Sequence, residues 1–415
     1  MAVIRSFKAL RPQKDVASKV ASVPYDVVNR AEAKQLVEGN DLSFLRIGRA
    51  EATIENSVDA YSTEVYLKAK DNLDLLKKNA PLIQDENPHF YLYQLIMDGR
   101  KQTGIAATFS VDDYENNVIL KHENTRKEKE DDRTNHIITT AAQTGPVFLT
   151  YKGVKKVNEV VDNVIKNQQP EYDFTSADGI THKIWLLPEN LNKIVVNEIK
   201  NVKSLYIADG HHRAASAWRV RNEKKEKNSK HTGDEEYNYF LAVLFPAEQL
   251  KIFSYNRVVS DLNGLDKNEL INSINEKFIV EESIIKEPKE AKTFCMYLDG
   301  TWYKLLARDS VIASNSLSNS VGEKLDVSIL QNFLLNPILN IDDPRTNKRI
   351  DFVGGIRGTI ELEKLVDSGK AAVAFSLHPL SVNDLINISD VGEQMPPKST
   401  WFEPKLRDGL VIHLI

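Results

Sequence analysis

The sequence predicts a mixed α/β protein, and three observations carry that prediction. Short apolar runs of strand character alternate with amphipathic helical patterns along the chain. Asp-Gly pairs sit between adjacent apolar runs, where they close hairpins. The run Leu205 to Ala208 delivers Asp209 and Gly210 directly onto the helix-forming stretch Ala214 to Trp218, a strand, tight turn and helix start in that order.

The elements follow in turn. Thr63 to Lys78 reads as a helix, with Val65, Leu67, Leu73, Leu75 and Leu76 set among polar residues. Phe90 to Met97 and Thr103 to Val111 read as two strands joined by a turn at Asp98 and Gly99. Val118 to Leu120 is strand-like, Lys121 to His136 is a charged stretch, and Ile137 to Leu149 restores apolar character. Lys-rich Asn222 to Lys230 is expected to be solvated, and the strand Tyr239 to Phe245 ends at Pro246.

Leu262 to Val280 is helical in pattern, and Lys292 to Leu306 reads as a hairpin around Asp299 and Gly300. Val327 to Leu335 is a helix candidate, Glu361 to Ser368 a short helix and Ala371 to Leu377 a buried strand. No repeat or low-complexity linker divides the chain. Three lobes are expected: 1–150, 151–260 carrying the Asp209 turn, and 261–415.

Composition bounds the function. With 415 residues, 41% hydrophobic and 27% charged, the chain is long enough to bury a large core. A net charge of -5 gives no basic face of the kind nucleic-acid binders display. A single cysteine, Cys295, excludes an internal disulfide and a Cys-based zinc cluster. Neither a signal peptide nor a run of about 18 apolar residues is seen, so a cytoplasmic protein without membrane spans is expected.

The most chemically loaded stretch is Asp209, Gly210, His211, His212, Arg213. A carboxylate, two imidazoles and a guanidinium at a helix start suit an anion, because backbone N–H groups point outward there. A plain Asp-Gly turn capping a helix is the ordinary alternative. Two adjacent histidines before an arginine have no evident structural need.

Four other groups can carry chemistry. Glu51, near Arg49, can act as a base or ammonium partner, or simply pair with Arg49. His122, Glu123 and Thr125, followed by Asp132 and Arg133, can bind phosphate together with Mg²⁺, or form a charged loop. Asn256 and Arg257 can orient a carboxylate or phosphate, since guanidinium binds either bidentately. Lys398, Ser399 and Thr400, with Lys405 beyond, offer an ammonium, hydroxyls and N–H donors after the stiff Pro396 and Pro397. No glycine ladder precedes Lys398, so this is not a Walker loop.

These motifs together resemble the bacterial and archaeal family called domain of unknown function 1015. The residues that carry the resemblance are Val23 to Val27, His122, Glu123 and Thr125 with Asp132 and Arg133, Ala208 to Arg213, Tyr255 to Arg257, and Met395 to Phe402. They occur in order over nearly the whole chain. The turn at 209–213 is also similar to the phosphate-binding turn of ParB-type nucleotidases, sulfiredoxins and free-serine kinases. That similarity implies a ParB/sulfiredoxin-like phosphate-binding core elaborated by further mixed-sheet lobes.

The resemblance implies a kinase for free L-serine, with pyrophosphate as donor and O-phosphoserine as product, and Mg²⁺ is the cofactor expected from the carboxylates beside the phosphate-binding residues. ATP or ADP as donor stays open, because ParB-like sites bind nucleotides without a P-loop. Under this reading Asp209 takes the hydroxyl proton or holds the metal, with Glu51 in reserve, and His211 and His212 contact the transferring phosphoryl. Gly210, Arg213, His122, Thr125, Arg133, Lys398, Ser399, Thr400 and Lys405 bind phosphate. Arg49, Asn256 and Arg257 hold the acceptor, and Glu123 and Asp132 hold the metal. A nucleotide-binding regulatory module without turnover, and a metal-dependent phosphohydrolase, are the readings from other classes.

Overall fold

The Asp98-Gly99 turn folds the chain back as its residues require, both having positive φ (50° and 77°). It joins Tyr91–Met97 (β1) to Arg100–Ser110 (β2) in an antiparallel pair. This hairpin seeds the larger sheet in the computed structural model of the chain, which describes residues 1–79, 82–316 and 318–415. The residues form two units, one of Met1–Leu250 with Pro404–Ile415 and one of Lys251–Glu403. Each is mixed or antiparallel sheet with helices, so the α/β class is what the chain adopts.

The main sheet of the first unit continues with Ile119–Leu120 (β3), Val147–Tyr151 (β4), Tyr172–Thr175 (β5), Thr181–Leu186 (β6), Leu205–Asp209 (β7) and Tyr239–Pro246 (β8). Their order is β3-β7-β4-β8-β2-β1-β6-β5, with Ile4–Arg5 added against β2. β7 runs parallel to β3 and antiparallel to β4, while β8 runs parallel to β4. The central strands are buried on both faces, so β8 reads as a continuous apolar run and β4 departs from one only at Thr150, whose hydroxyl donates to the Phe245 carbonyl.

The helices of this unit include Thr63–Asn79 (α1), Lys127–Thr140 (α2), Lys155–Asn167 (α3), Glu189–Lys200 (α4) and His211–Lys227 (α5). In α3 the buried residues are Val157, Val161 and Val164, an i, i+4, i+7 stripe that can face only one way. It packs with Leu205 and Ile207 of β7 and Val195 and Ile199 of α4 in one core cluster. Leu205 is fully buried there, so Leu205→Ala would cost about 2–5 kcal/mol.

The second unit is an antiparallel sheet of Tyr255–Val259 (β9), Phe278–Glu282 (β10), Thr293–Leu298 (β11), Thr301–Ala307 (β12), Ile350–Gly354 (β13) and Val373–Leu377 (β14). The order is β10-β12-β11-β14-β9-β13. Cys295 is buried on β11, as its apolar neighbours require. Among the described residues no helix is long and apolar enough to cross a membrane.

Three expectations need correction. The pattern 262–280 is a helix only over Lys267–Asn275, started by a capping box of Asp266 and Glu269, after which the chain returns as strand β10. The charged stretch 121–136 contains the start of α2, whose buried side chains are mostly polar, Asp132, Thr134, His136 and Thr140 beside the single apolar Ile137. The expected boundary at 150/151 falls inside β4, and the division between units lies at 250/251 and 403/404.

Candidate functional site

β7 carries a register irregularity between Ile207 and Asp209, which re-aims the end of the strand. Gly210 follows at φ 95° as the N-cap of α5. A Cβ at this position would lie 2.9 Å from Arg213 Nε, so the bare glycine is what lets the arginine fold back over the turn. Arg213 Nη2 then sits 2.9 Å from Asp209 Oδ2 and 4.0 Å from Asp26 Oδ2, and Nη1 donates to the carbonyl of Pro146. Lys405 Nζ lies 3.7 Å from the same Asp209 oxygen.

Arg213 is buried, and desolvation opposes its charge. The carboxylates of Asp209, Asp26 and Asp408 outweigh that and hold its pKa above the ordinary value. Its Nε is buried without a hydrogen-bond partner, and so is Asp408 Oδ1. Both residues line one cavity with Tyr25, Arg133, Thr144 and Gly145. A Cβ at Gly145 would come within 2.8 Å of Asp408 Oδ1, so this glycine makes room for the buried carboxyl.

A second guanidinium faces this cavity from α2. Arg133 lies 4.1 Å from the Tyr25 ring centroid, a cation–π contact, and places Nε and Nη2 2.9 and 2.8 Å from Asp132 Oδ2. Asp132 Oδ1 accepts from the Tyr66 hydroxyl at 3.2 Å. Burial pushes the Asp408 carboxyl up to about 7, against the pull of Arg213 and Arg133 and with the repulsion of Asp26. Glu51 is buried with Oε1 2.9 Å from Arg49 Nε, and its charge reaches Arg133.

The histidines hold the loop between β3 and α2. The His122 and His211 rings meet edge to face at 4.5 Å. His211 Nε2 accepts the His122 backbone N–H at 3.5 Å, and His212 Nε2 accepts that of Arg126 at 3.0 Å. His211 Nδ1 faces Glu123 Oε2 at 3.8 Å, and the Thr125 hydroxyl donates to Glu130. Burial drives His122 and His211 down to about 3, so both are neutral. One nitrogen of His211 and one of His212 are thus committed to backbone, which makes these rings part of the wall.

The first unit therefore brings together Asp209, Gly210, Arg213 and Lys405, with Arg133 across the cavity. Asn256, Arg257, Lys398, Ser399 and Thr400 belong to the second unit. There Asn256 Oδ1 accepts from the Leu377 N–H at 3.2 Å, and the Ser399 hydroxyl donates to the Pro396 carbonyl at 2.6 Å. The residues that sequence reasoning left without a role are Tyr25, Asp26 and Asp408. Tyr25 and Asp26 stood in the sequence only as part of the Val23 to Val27 motif, and Gly409, at φ 89°, marked a turn after Asp408.

As metal ligands the two expected carboxylates differ. Both oxygens of Asp132 are occupied by Arg133 and Tyr66, so Asp132 does not fit a metal. Among the described residues no three His, Cys, Asp or Glu side chains gather as a metal site. Glu123 fits only as a single carboxylate toward an ion carried mainly by phosphate oxygens, a mode Mg²⁺ commonly uses.

Residues 4–328 match the family model described as protein of unknown function DUF1015. No curated protein matches the sequence. Among solved structures the chain is similar to a conserved hypothetical protein from Pyrococcus furiosus (13% identity, TM-score 0.36, covering 74% of this chain and 95% of that one). SbnI with a C-terminal truncation, from Staphylococcus aureus, matches at 13% identity and TM-score 0.38, over 74% and 87%. A free serine kinase in complex with AMP matches at 11% identity and TM-score 0.35, over 72% and 86%.

Proposed function

The chain belongs to the DUF1015 family, and from that premise we propose that it is a small-molecule kinase that transfers a phosphoryl group from pyrophosphate to the hydroxyl of free L-serine. The observation that carries phosphate chemistry is the turn itself. A left-handed Gly210 seats Arg213 against Asp209 at the N-terminus of a 17-residue helix, with Lys405 beside them. Serine and pyrophosphate rest on the resemblance of the motifs alone.

Phosphoryl transfer needs in-line positioning, neutralisation of the donor and a place for the hydroxyl proton. The serine oxygen attacks the terminal phosphorus, the bridging P–O bond breaks, and orthophosphate leaves with the bond's electron pair. Arg213 and Lys405 offset the charge on the phosphoryl oxygens, and the first N–H groups of α5 point toward them. Asp209 receives the hydroxyl proton, and in the free protein its carboxylate is held by the two cations that will turn to phosphate. Mg²⁺ is the divalent ion of this reading; bound to the donor's phosphates it would neutralise their charge, with Glu123 beside it.

Pyrophosphate has no base or ribose to grip, which suits a site made of cations and backbone. Incubation of the protein with L-serine, Mg²⁺ and, separately, pyrophosphate, ATP or ADP, followed by mass detection of O-phosphoserine, tests the donor. Product with pyrophosphate alone supports the reading. Product only with ATP or ADP replaces the donor, and orthophosphate release without serine makes the protein a hydrolase.

A further inference from the structure

One buried charge of the second unit meets no carboxylate among the described residues. Arg257 on β9 is 3% exposed, and strand pairing sets it opposite Phe352 on β13 and Phe375 on β14. Its guanidinium lies 5.2 Å from the Phe352 ring centroid. Nη1 donates to the Tyr255 carbonyl and Nη2 to that of Pro397 at 3.5 Å. Every one of these partners is neutral, and burial accordingly pushes its pKa down to about 10, with the Tyr255 phenol the lone group raising it. Arg213, also buried, and the half-buried Arg133 each face an aspartate within 3 Å.

Taking a cation out of water costs several kcal/mol unless an anion meets it. A second cation stands close by. Lys398 adopts φ 56°, an uncommon left-handed conformation for a lysine, and its Nζ lies 5.6 Å from the ring centroid of Tyr255, the residue whose carbonyl holds Arg257. Lys398 follows Pro397, the other residue that Arg257 touches. Two cations placed around one tyrosine, one of them deeply buried among neutral groups, match an anionic ligand.

We propose that Arg257 anchors an anion site built wholly within the second unit, which takes the carboxylate or phosphate of a small molecule with Lys398 as its second charge. The guanidinium fork suits either planar carboxylate or phosphate oxygens bidentately. The site stands whether or not the first unit transfers phosphoryl groups.

The test is isothermal titration of the full chain with orthophosphate, pyrophosphate, L-serine and acetate, in wild type, Arg257→Met, Arg257→Lys and Arg213→Lys. The expected result is an anion-binding event that survives Arg213→Lys, disappears in Arg257→Met and weakens roughly tenfold or more in Arg257→Lys, which keeps the charge but loses the fork. Binding of serine and acetate identifies a carboxylate site, and binding of the two phosphates a phosphate site. Should Arg257→Met fail to fold, the lysine variant decides alone. Isotherms for all four probes that are unchanged in a folded Arg257 variant overturn the proposal.

Discussion

Arg213 Nη2 lies 2.9 Å from Asp209 Oδ2 across a glycine at φ 95°, so the turn stores its guanidinium against its own carboxylate. Arg213 is four residues beyond Asp209, and the left-handed step at Gly210 is what brings the two ends of that interval together. An incoming phosphate would compete for the same guanidinium. Binding would then release Asp209 toward the acceptor.

Asp209→Asn keeps the shape of the side chain and removes its capacity to take a proton. Turnover should fall by about 10²-fold or more, with the thermal midpoint nearly unchanged. Steady-state rates beside a melting curve check this. Full turnover in a normally melting variant would remove Asp209 from the chemistry.

Gly210→Ala combines backbone strain with a Cβ 2.9 Å from Arg213 Nε. The left-handed conformation costs an L-residue about 1–2 kcal/mol, and Arg213 must also move. Urea unfolding should show at least that loss, and orthophosphate should bind more weakly. An alanine variant as stable and as phosphate-binding as wild type would refute the role given to this glycine.

Asp408→Asn tests the buried carboxyl. Its folded pKa, about 7, lies above the unfolded value, so its protonated form contributes stability that is lost as pH rises from about 4 through 7. The asparagine variant lacks that loss. Relative to wild type it should gain stability between pH 5.5 and 8, by up to about 1.4 kcal/mol per pH unit within the window. A difference between the two proteins that does not change with pH contradicts the placement of Asp408 among Arg213, Arg133, Asp26 and Arg407.

Four buried imidazoles act in the opposite sense. His122, His136, His182 and His211 are all driven to about 3 by burial, below their unfolded values. The unfolded chain binds protons that the folded chain refuses, so stability falls as pH drops below about 6.5. Across pH 5.5 to 7 these four protons outweigh the opposing one from Asp408. Urea midpoints at pH 7 and 5.5 should decline clearly, and a flat profile would mean that these rings are accessible to water.

What the sequence made legible follows from which forces leave a local trace. The hairpin at Asp98-Gly99, strand β7 and the start of α5 could be read because apolar runs and glycine at positive φ are local signals. α2 was hidden because four of the five side chains on its buried face, Asp132, Thr134, His136 and Thr140, are polar, with Asp132 held by Tyr66 and Arg133 and His136 by the Ile47 carbonyl, so no apolar period marks the helix. Asp408 was hidden for another reason. It looks like the first residue of an ordinary Asp-Gly turn, and only the fold brings it to Arg213, far away in sequence. The histidines were noticed for their chemistry, yet their geometry is that of hydrogen-bond acceptors for a loop.

The central claim is phosphoryl transfer to serine at the Asp209–Arg213 turn. Phosphorus NMR of the full chain with pyrophosphate, L-serine and Mg²⁺, run beside Arg213→Lys, tests it most directly. The account predicts a growing O-phosphoserine resonance with matching orthophosphate in wild type, and a rate lower by about 10²-fold or more in the variant. A pyrophosphate signal that persists unchanged in wild type, or O-phosphoserine formed equally fast by Arg213→Lys, would contradict it.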